Sequence, residues 1–140
     1  PQGCPWWELK LDLLLPCSIS GLIDAAMADA LRTEAVVPAA NAPFQNPQLA
    51  DELRRRGIRV LPDPLVNAGA VIADSIERFS PEAWNNAGAE DVYSFVRCEV
   101  RQRAANYLSR RDQGLSVGAA LVDVAESSSD PIGLSFGDAA

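Results

Sequence analysis

Within the first eighty residues, short apolar runs that stop at proline alternate with stretches of helical periodicity, and this alternation constrains the fold more than any other feature. Leu9, Leu11, Leu13, Leu14 and Leu15 form an apolar run ending at Pro16-Cys17, which reads as a buried strand. Ile19, Leu22, Ile23, Ala26, Met27, Ala30 and Leu31 then recur on one continuous helical face, predicting a helix over 19–31 with Ser18 as its N-cap. Ala35-Val36-Val37 reads as a second strand, closed by Pro38. Asn46-Pro47 offers an N-cap followed by proline at the first helical position, opening a helix that turns Leu49, Ala50 and Leu53 inward. Arg54, Arg55 and Arg56 suit its negative C-terminal end, and Gly57 suits the left-handed position beyond it. Ile58 to Leu61 make a third strand, closed by Pro62-Asp63-Pro64, and a further helix runs from near Leu65–Asn67 to about Phe79.

Strand and helix taken in turn three times imply βαβ crossovers, and hence an α/β chain with a short parallel sheet flanked by helices. The remainder predicts a helical C-terminal extension. Ser80 to Gly88 reads as a loop around Trp84, with a short helix as the alternative. Val92, Val96, Val100, Ala104 and Leu108, with Phe95 and Tyr107 alongside, mark a long amphipathic helix. A shorter one follows, capped by Ser116, with Val117, Ala120, Leu121 and Val124 inward. From about Ser127 the chain is rich in Ser, Gly and Asp and is expected to be loose.

Composition narrows the possible chemistry. With 140 residues, 48% of them hydrophobic, the chain has enough apolar surface for a core and is not disordered over most of its length. Its 12 basic and 19 acidic side chains give a net charge of −7, against the basic face that a nucleic-acid partner requires. It has no histidine, which removes Ser-His-Asp and Cys-His catalysis and most zinc sites. Cys4, Cys17 and Cys98 are widely spaced and form no CxxC, so they read as reduced thiols of a cytoplasmic protein without a metal site. No apolar run approaches the roughly 20 residues of a membrane helix, so no membrane partner is expected. The first residue is Pro1 rather than Met, which suggests a fragment or a processed form.

Ligands of open parallel sheets bind beyond the carboxyl ends of the strands. Three loops fall there: 16–21, 38–42 and 62–69. Their small residues and neutral hydrogen-bonding groups suit a flat, amide-bearing ligand better than a bare phosphate. Taken singly, the same residues have plainer readings. Cys17 is a small hydrophobe at a strand end, Asn41 and Asn67 are turn or cap residues, and Asp63 is turn chemistry. Asp24, Asp29, Asp51 and Glu52 are spaced like solvated helix faces rather than a carboxylate pair.

Three segments together carry a resemblance. Leu-Leu-Leu-Pro-Cys-Ser-Ile-Ser-Gly-Leu-Ile (13–23) resembles the D-V-x-x-P-C-A-x-G-G-x-I segment of the glutamate/leucine/phenylalanine/valine dehydrogenase family. Val37-Pro38-Ala39-Ala40-Asn41 resembles its A-G-A-A-N-N-Q loop. Residues 53–72, L-R-R-R-G-I-R-V-L-P-D-P-L-V-N-A-G-A-V-I, are similar to L-x-x-R-G-I-x-x-x-P-D-x-x-x-N-A-G-G-V-I. Ser20, Pro38 and Ala70 stand where the pattern has glycine, and Ala42 where it has a second asparagine.

The resemblance implies a partial Rossmann-like three-layer fold and NAD(P)-dependent oxidative deamination of an L-amino acid to a 2-oxo acid. Residues 1–79 would be the second half of a dinucleotide-binding domain, 80–126 the C-terminal helices packing on it, and 127–140 a flexible tail. Cofactor-binding residues would be Cys17 and Ser18 beside the nicotinamide and its ribose, Asn41 near the ribose or carboxamide, and Asn67 where cofactor and substrate meet. The family's catalytic lysines and aspartate belong to an N-terminal substrate domain, and this chain has one lysine, Lys10. The pyrophosphate-binding G-x-G-x-x-G is absent. The chain alone is therefore expected to have no catalytic residue, to bind NAD or NADP weakly or not at all, and to depend on a missing N-terminal domain or another chain. A homo-oligomer is expected. The alternative is a non-catalytic assembly or regulatory module that retains the half-fold.

Overall fold

The computed structural model describes residues 5–127, which fall into two compact units divided between Asn67 and Ala68.

The first unit is built on three parallel strands, β1 (Lys10–Leu14), β2 (Arg32–Val36) and β3 (Arg59–Val60), in the order β1-β2-β3. Helices α1 (Ala25–Ala30) and α2 (Pro47–Arg55) form the crossovers, and α3 (Asp63–Val66) follows β3. The register aligns Leu14 with Val36 and Val36 with Val60, and this row is buried. Ile23, Ala28 and Leu31, together with Leu49, Ala50 and Leu53, complete the same core. Side chains alternate along a strand, so Leu9, Leu13 and Leu15 belong to the opposite face, where Leu13 is 47% and Leu15 52% exposed. Of the apolar run that reads as a buried strand, Leu14 is buried and Leu11 partly so, packed against the core.

Helix α2 has the boundaries its sequence dictates. Asn46 Oδ1 accepts from the Gln48 N–H at 3.0 Å, Pro47 stands at the first turn, and Gly57 takes the left-handed conformation at φ 85°. The arginines do more than suit a helix end. Arg56 donates through Nη1 to the Ala28 carbonyl at 2.6 Å and through Nη2 to that of Leu31 at 2.9 Å, tying α2 to the end of α1. Arg54 donates from Nε and Nη2 to the Val60 carbonyl.

The helix expected over 19–31 is shortened to Ala25–Ala30, and its N-cap is Asp24 rather than Ser18, with Asp24 Oδ1 accepting from Met27 N–H at 2.8 Å. The lost turns serve another purpose. Gly21 is left-handed at φ 67°, and Ile23 forms a parallel bridge to Phe44 through Ile23 N–H to the Pro43 carbonyl (2.9 Å) and Gln45 N–H to the Ile23 carbonyl (3.0 Å). The helix expected from Leu65–Asn67 to Phe79 is likewise two helices, with Asn67 as the C-cap of α3.

The second unit is all helical among the described residues: α4 (Gly69–Phe79), α5 (Pro81–Asn86), α6 (Ala89–Asp112) and α7 (Val117–Ser127). Residues 80–88, read foremost as a loop, contain α5, with proline in its first turn. Asp91 closes the start of α6 by accepting the Gly88 N–H at 2.9 Å, and α6 packs against α4 and α7. Of the apolar stripe on α6, Tyr107 is buried, Val92, Val96 and Val100 are half-buried, and Leu108 is exposed. Ser116 caps α7 through the Ala119 N–H at 3.2 Å, and Ala120 and Val124 are buried. Arg110 pairs with Asp123 between the two helices. Cys4 and the Ser-, Gly- and Asp-rich tail lie outside the described residues.

Candidate functional site

Because the strands are parallel, the loops after Leu14, Val36 and Val60 emerge at one edge of the sheet, and the strand order puts the loop after β2 between the other two. The pairing continues past the strands, through Val37 N–H to the Leu14 carbonyl (2.9 Å) and Leu61 N–H to that of Val36 (3.0 Å). Ala39 and Ala40 then both donate to the Pro16 carbonyl, at 2.9 and 3.0 Å.

The middle loop is held at Asn41 and Ala42 from both sides. From the first loop, Ser20 Oγ donates to the Asn41 carbonyl and Gly21 N–H to the Ala42 carbonyl, each at 2.8 Å. From the third, Asn67 Nδ2 donates to Asn41 Oδ1, and Asp63 Oδ2 accepts from Ala42 N–H, each again at 2.8 Å. Ala42 itself is left-handed at φ 43°, a conformation that costs an alanine about 1 kcal/mol.

The structure therefore brings two of the four expected site residues together, the exposed Asn41 and the half-buried Asn67. Cys17 and Ser18 lie exposed on the first loop, which joins the middle loop through Pro16 and Ser20 rather than through their own side chains. Cys17 is not a buried hydrophobe; its thiol donates to the Leu15 carbonyl at 3.1 Å. Sequence reasoning passed over Ser20 and Asp63. Asp63 does more than shape its own turn, since its carboxylate crosses to the neighbouring loop. A carboxylate just past the end of a parallel strand was the available signal. For Ser20 it was the hydroxyl standing where the family pattern has glycine.

The pairing fixes what the site can offer. Asn41 Oδ1 and Asn67 Nδ2 are committed to each other, which leaves Asn41 Nδ2 as a donor and Asn67 Oδ1 as an acceptor. A spare donor and a spare acceptor, both neutral, are groups that a primary amide could meet. Among the described residues, no group of three or more His, Cys, Asp or Glu could hold a metal ion, and no helix is long and apolar enough to cross a membrane. Two clefts, of about 400 and 560 Å³, lie toward the opposite, amino-terminal ends of the strands. Both are lined by charges of mixed sign and share Arg56, whose guanidinium is already bound to carbonyls.

Comparison with known proteins yields one family. Residues 2–128 match the family model described as glutamate/leucine/phenylalanine/valine dehydrogenase. The chain is 43% identical over 70 residues to glutamate dehydrogenase of Thermotoga maritima, a match covering 50% of this chain and 17% of that protein. It is 32% identical over 75 residues to phenylalanine dehydrogenase of Lysinibacillus sphaericus, covering 54% of this chain and 20% of the relative. Its fold superposes on the hetero-hexameric glutamate dehydrogenase of Thermus thermophilus with a TM-score of 0.71 at 23% identity, over 86% of this chain and 29% of that one. The match thus spans no more than a fifth of the length of these two curated relatives.

Proposed function

Because the chain belongs to the glutamate/leucine/phenylalanine/valine dehydrogenase family, we propose that it is the second half of the dinucleotide-binding domain of an NAD(P)-dependent amino-acid dehydrogenase. Its role is to hold the nicotinamide end of the cofactor. The observation that carries this reading is the Asn67–Asn41 pair at the carboxyl edge of a parallel sheet, with its donor and acceptor left for an amide. Asn41 Nδ2 would donate to the carboxamide oxygen and Asn67 Oδ1 would accept from its N–H. Cys17 and Ser18, exposed on the adjoining loop, would flank the ring and its ribose.

When bound, the nicotinamide supplies the hydride acceptor for deamination. The contribution we propose for this chain is orientation; its one lysine, Lys10, lies at the start of β1, away from that edge. A substrate domain and a glycine-rich phosphate loop must come from elsewhere, in the same polypeptide or in another. The open edge of strand β1 is the surface we assign to that assembly, and we propose a homo-oligomer in the cytoplasm, where Cys17 and Cys98 stay as thiols.

Nicotinamide titration followed by NMR tests the site. Shifts are expected at the side-chain amides of Asn41 and Asn67 and the backbone amides of Cys17 and Ser18, with millimolar affinity. Shifts confined to other residues, or none, would contradict the reading. Light scattering at micromolar concentration is expected to show an oligomer; a monomer at every concentration would remove that part.

A further inference from the structure

We infer that Ser20 and Asp63 are positioning residues that clamp the Asn41–Ala42 turn from its two sides and thereby fix the Asn41 side chain against Asn67. The two hydrogen bonds converge on adjacent residues of the middle loop: Ser20 Oγ on the Asn41 carbonyl and Asp63 Oδ2 on the Ala42 N–H. They come from opposite neighbours, so the turn is held against displacement toward either. It also needs holding. Ala42 sits in a left-handed conformation that its own side chain does nothing to favour, whereas the asparagine of the family pattern at this position tolerates it. Ser20 replaces a glycine of the pattern, so its bond is a side-chain contact that glycine could not make. In this chain, then, a hydroxyl gained at position 20 accompanies the amide lost at position 42. The buried Pro38 and Pro43 bracket the turn with fixed φ angles, which confines its backbone freedom to residues 39–42.

The clamp bears on function only through a ligand at Asn41, so this inference rests on the nicotinamide reading, but the clamp itself is tested without ligand. NMR of the full chain reads Ala42 amide exchange and the Asn67 side-chain amide protons in S20A, D63A, D63N and the S20A/D63A double variant. Ala42 exchange is expected to rise about tenfold in D63A, the loss of one charge-assisted bond, and to stay within a few-fold in D63N, whose amide oxygen still accepts. In the double variant the Asn67 Nδ2 proton that donates to Asn41 should move upfield toward its free position, while the amides of Leu14, Val36 and Val60 stay in place. An unmoved Asn67 signal in the double variant overturns the clamp. If that variant loses the core signals, S20A alone decides, since it removes one exposed hydroxyl: a smaller upfield shift supports the clamp and no shift overturns it. Failure of nicotinamide to bind the unmodified chain, with the clamp signals behaving as stated, would instead overturn the functional reading alone.

Discussion

The two units bury their apolar residues in different ways. In the sheet unit a transverse row, Leu14, Val36 and Val60, meets two crossover helices, and Ile23, Leu31 and Leu53 are wholly buried. In the helical unit Ile72 and Ile76 of α4 are buried, but α6 runs for 24 residues with Tyr107 as its buried side chain, and Phe79 is 72% exposed. A sheet fixes many residues through one register, so a short chain segment suffices for a core. A helix pair buries only the stripe that faces its partner. The candidate site belongs to the first arrangement, where the register sets three loops side by side.

The largest effect expected from this contrast is at Leu53. Leu53→Ala should cost about 3 kcal/mol, whereas Phe79→Ser should stay within about 0.5 kcal/mol, both read by denaturant unfolding with exchange followed in each unit. Equal costs would erase the contrast. Arg56→Met comes next. Losing its two bonds to the Ala28 and Leu31 carbonyls should destabilise the sheet unit by about 1.5 kcal/mol and speed exchange in α1 before β2. The smallest effect is a gain: Ala42→Gly should stabilise by about 0.5 kcal/mol, the relief of the left-handed alanine less the added entropy of the unfolded chain. A loss there would mean that the turn is not strained.

Much of the sheet unit was legible because its signals are local. Pro16, Pro38 and Pro62 end the apolar runs, and Asn46-Pro47 and Gly57 bound α2 by side-chain and backbone chemistry confined to a few residues. The helix over 19–31 was misread because spacing alone cannot see competition for backbone groups. Ile19 to Ile23 keep helical periodicity, yet Gly21 and Ile23 spend their N–H groups on the Ala42 and Pro43 carbonyls. The site was legible in part for the same reason. Asn41 and Asn67 stand in motif segments, but the Ser20 and Asp63 contacts each span 21 residues and depend on the strand order, which no local pattern encodes.

Calorimetric titration of the chain with NAD tests the central claim most directly, because the proposed half-site, without the glycine-rich phosphate loop, would keep the nicotinamide contacts and lack those to the pyrophosphate. Millimolar binding, weakened further by Asn41→Ala, is the expected result. Micromolar binding, or binding indifferent to Asn41→Ala, would contradict it.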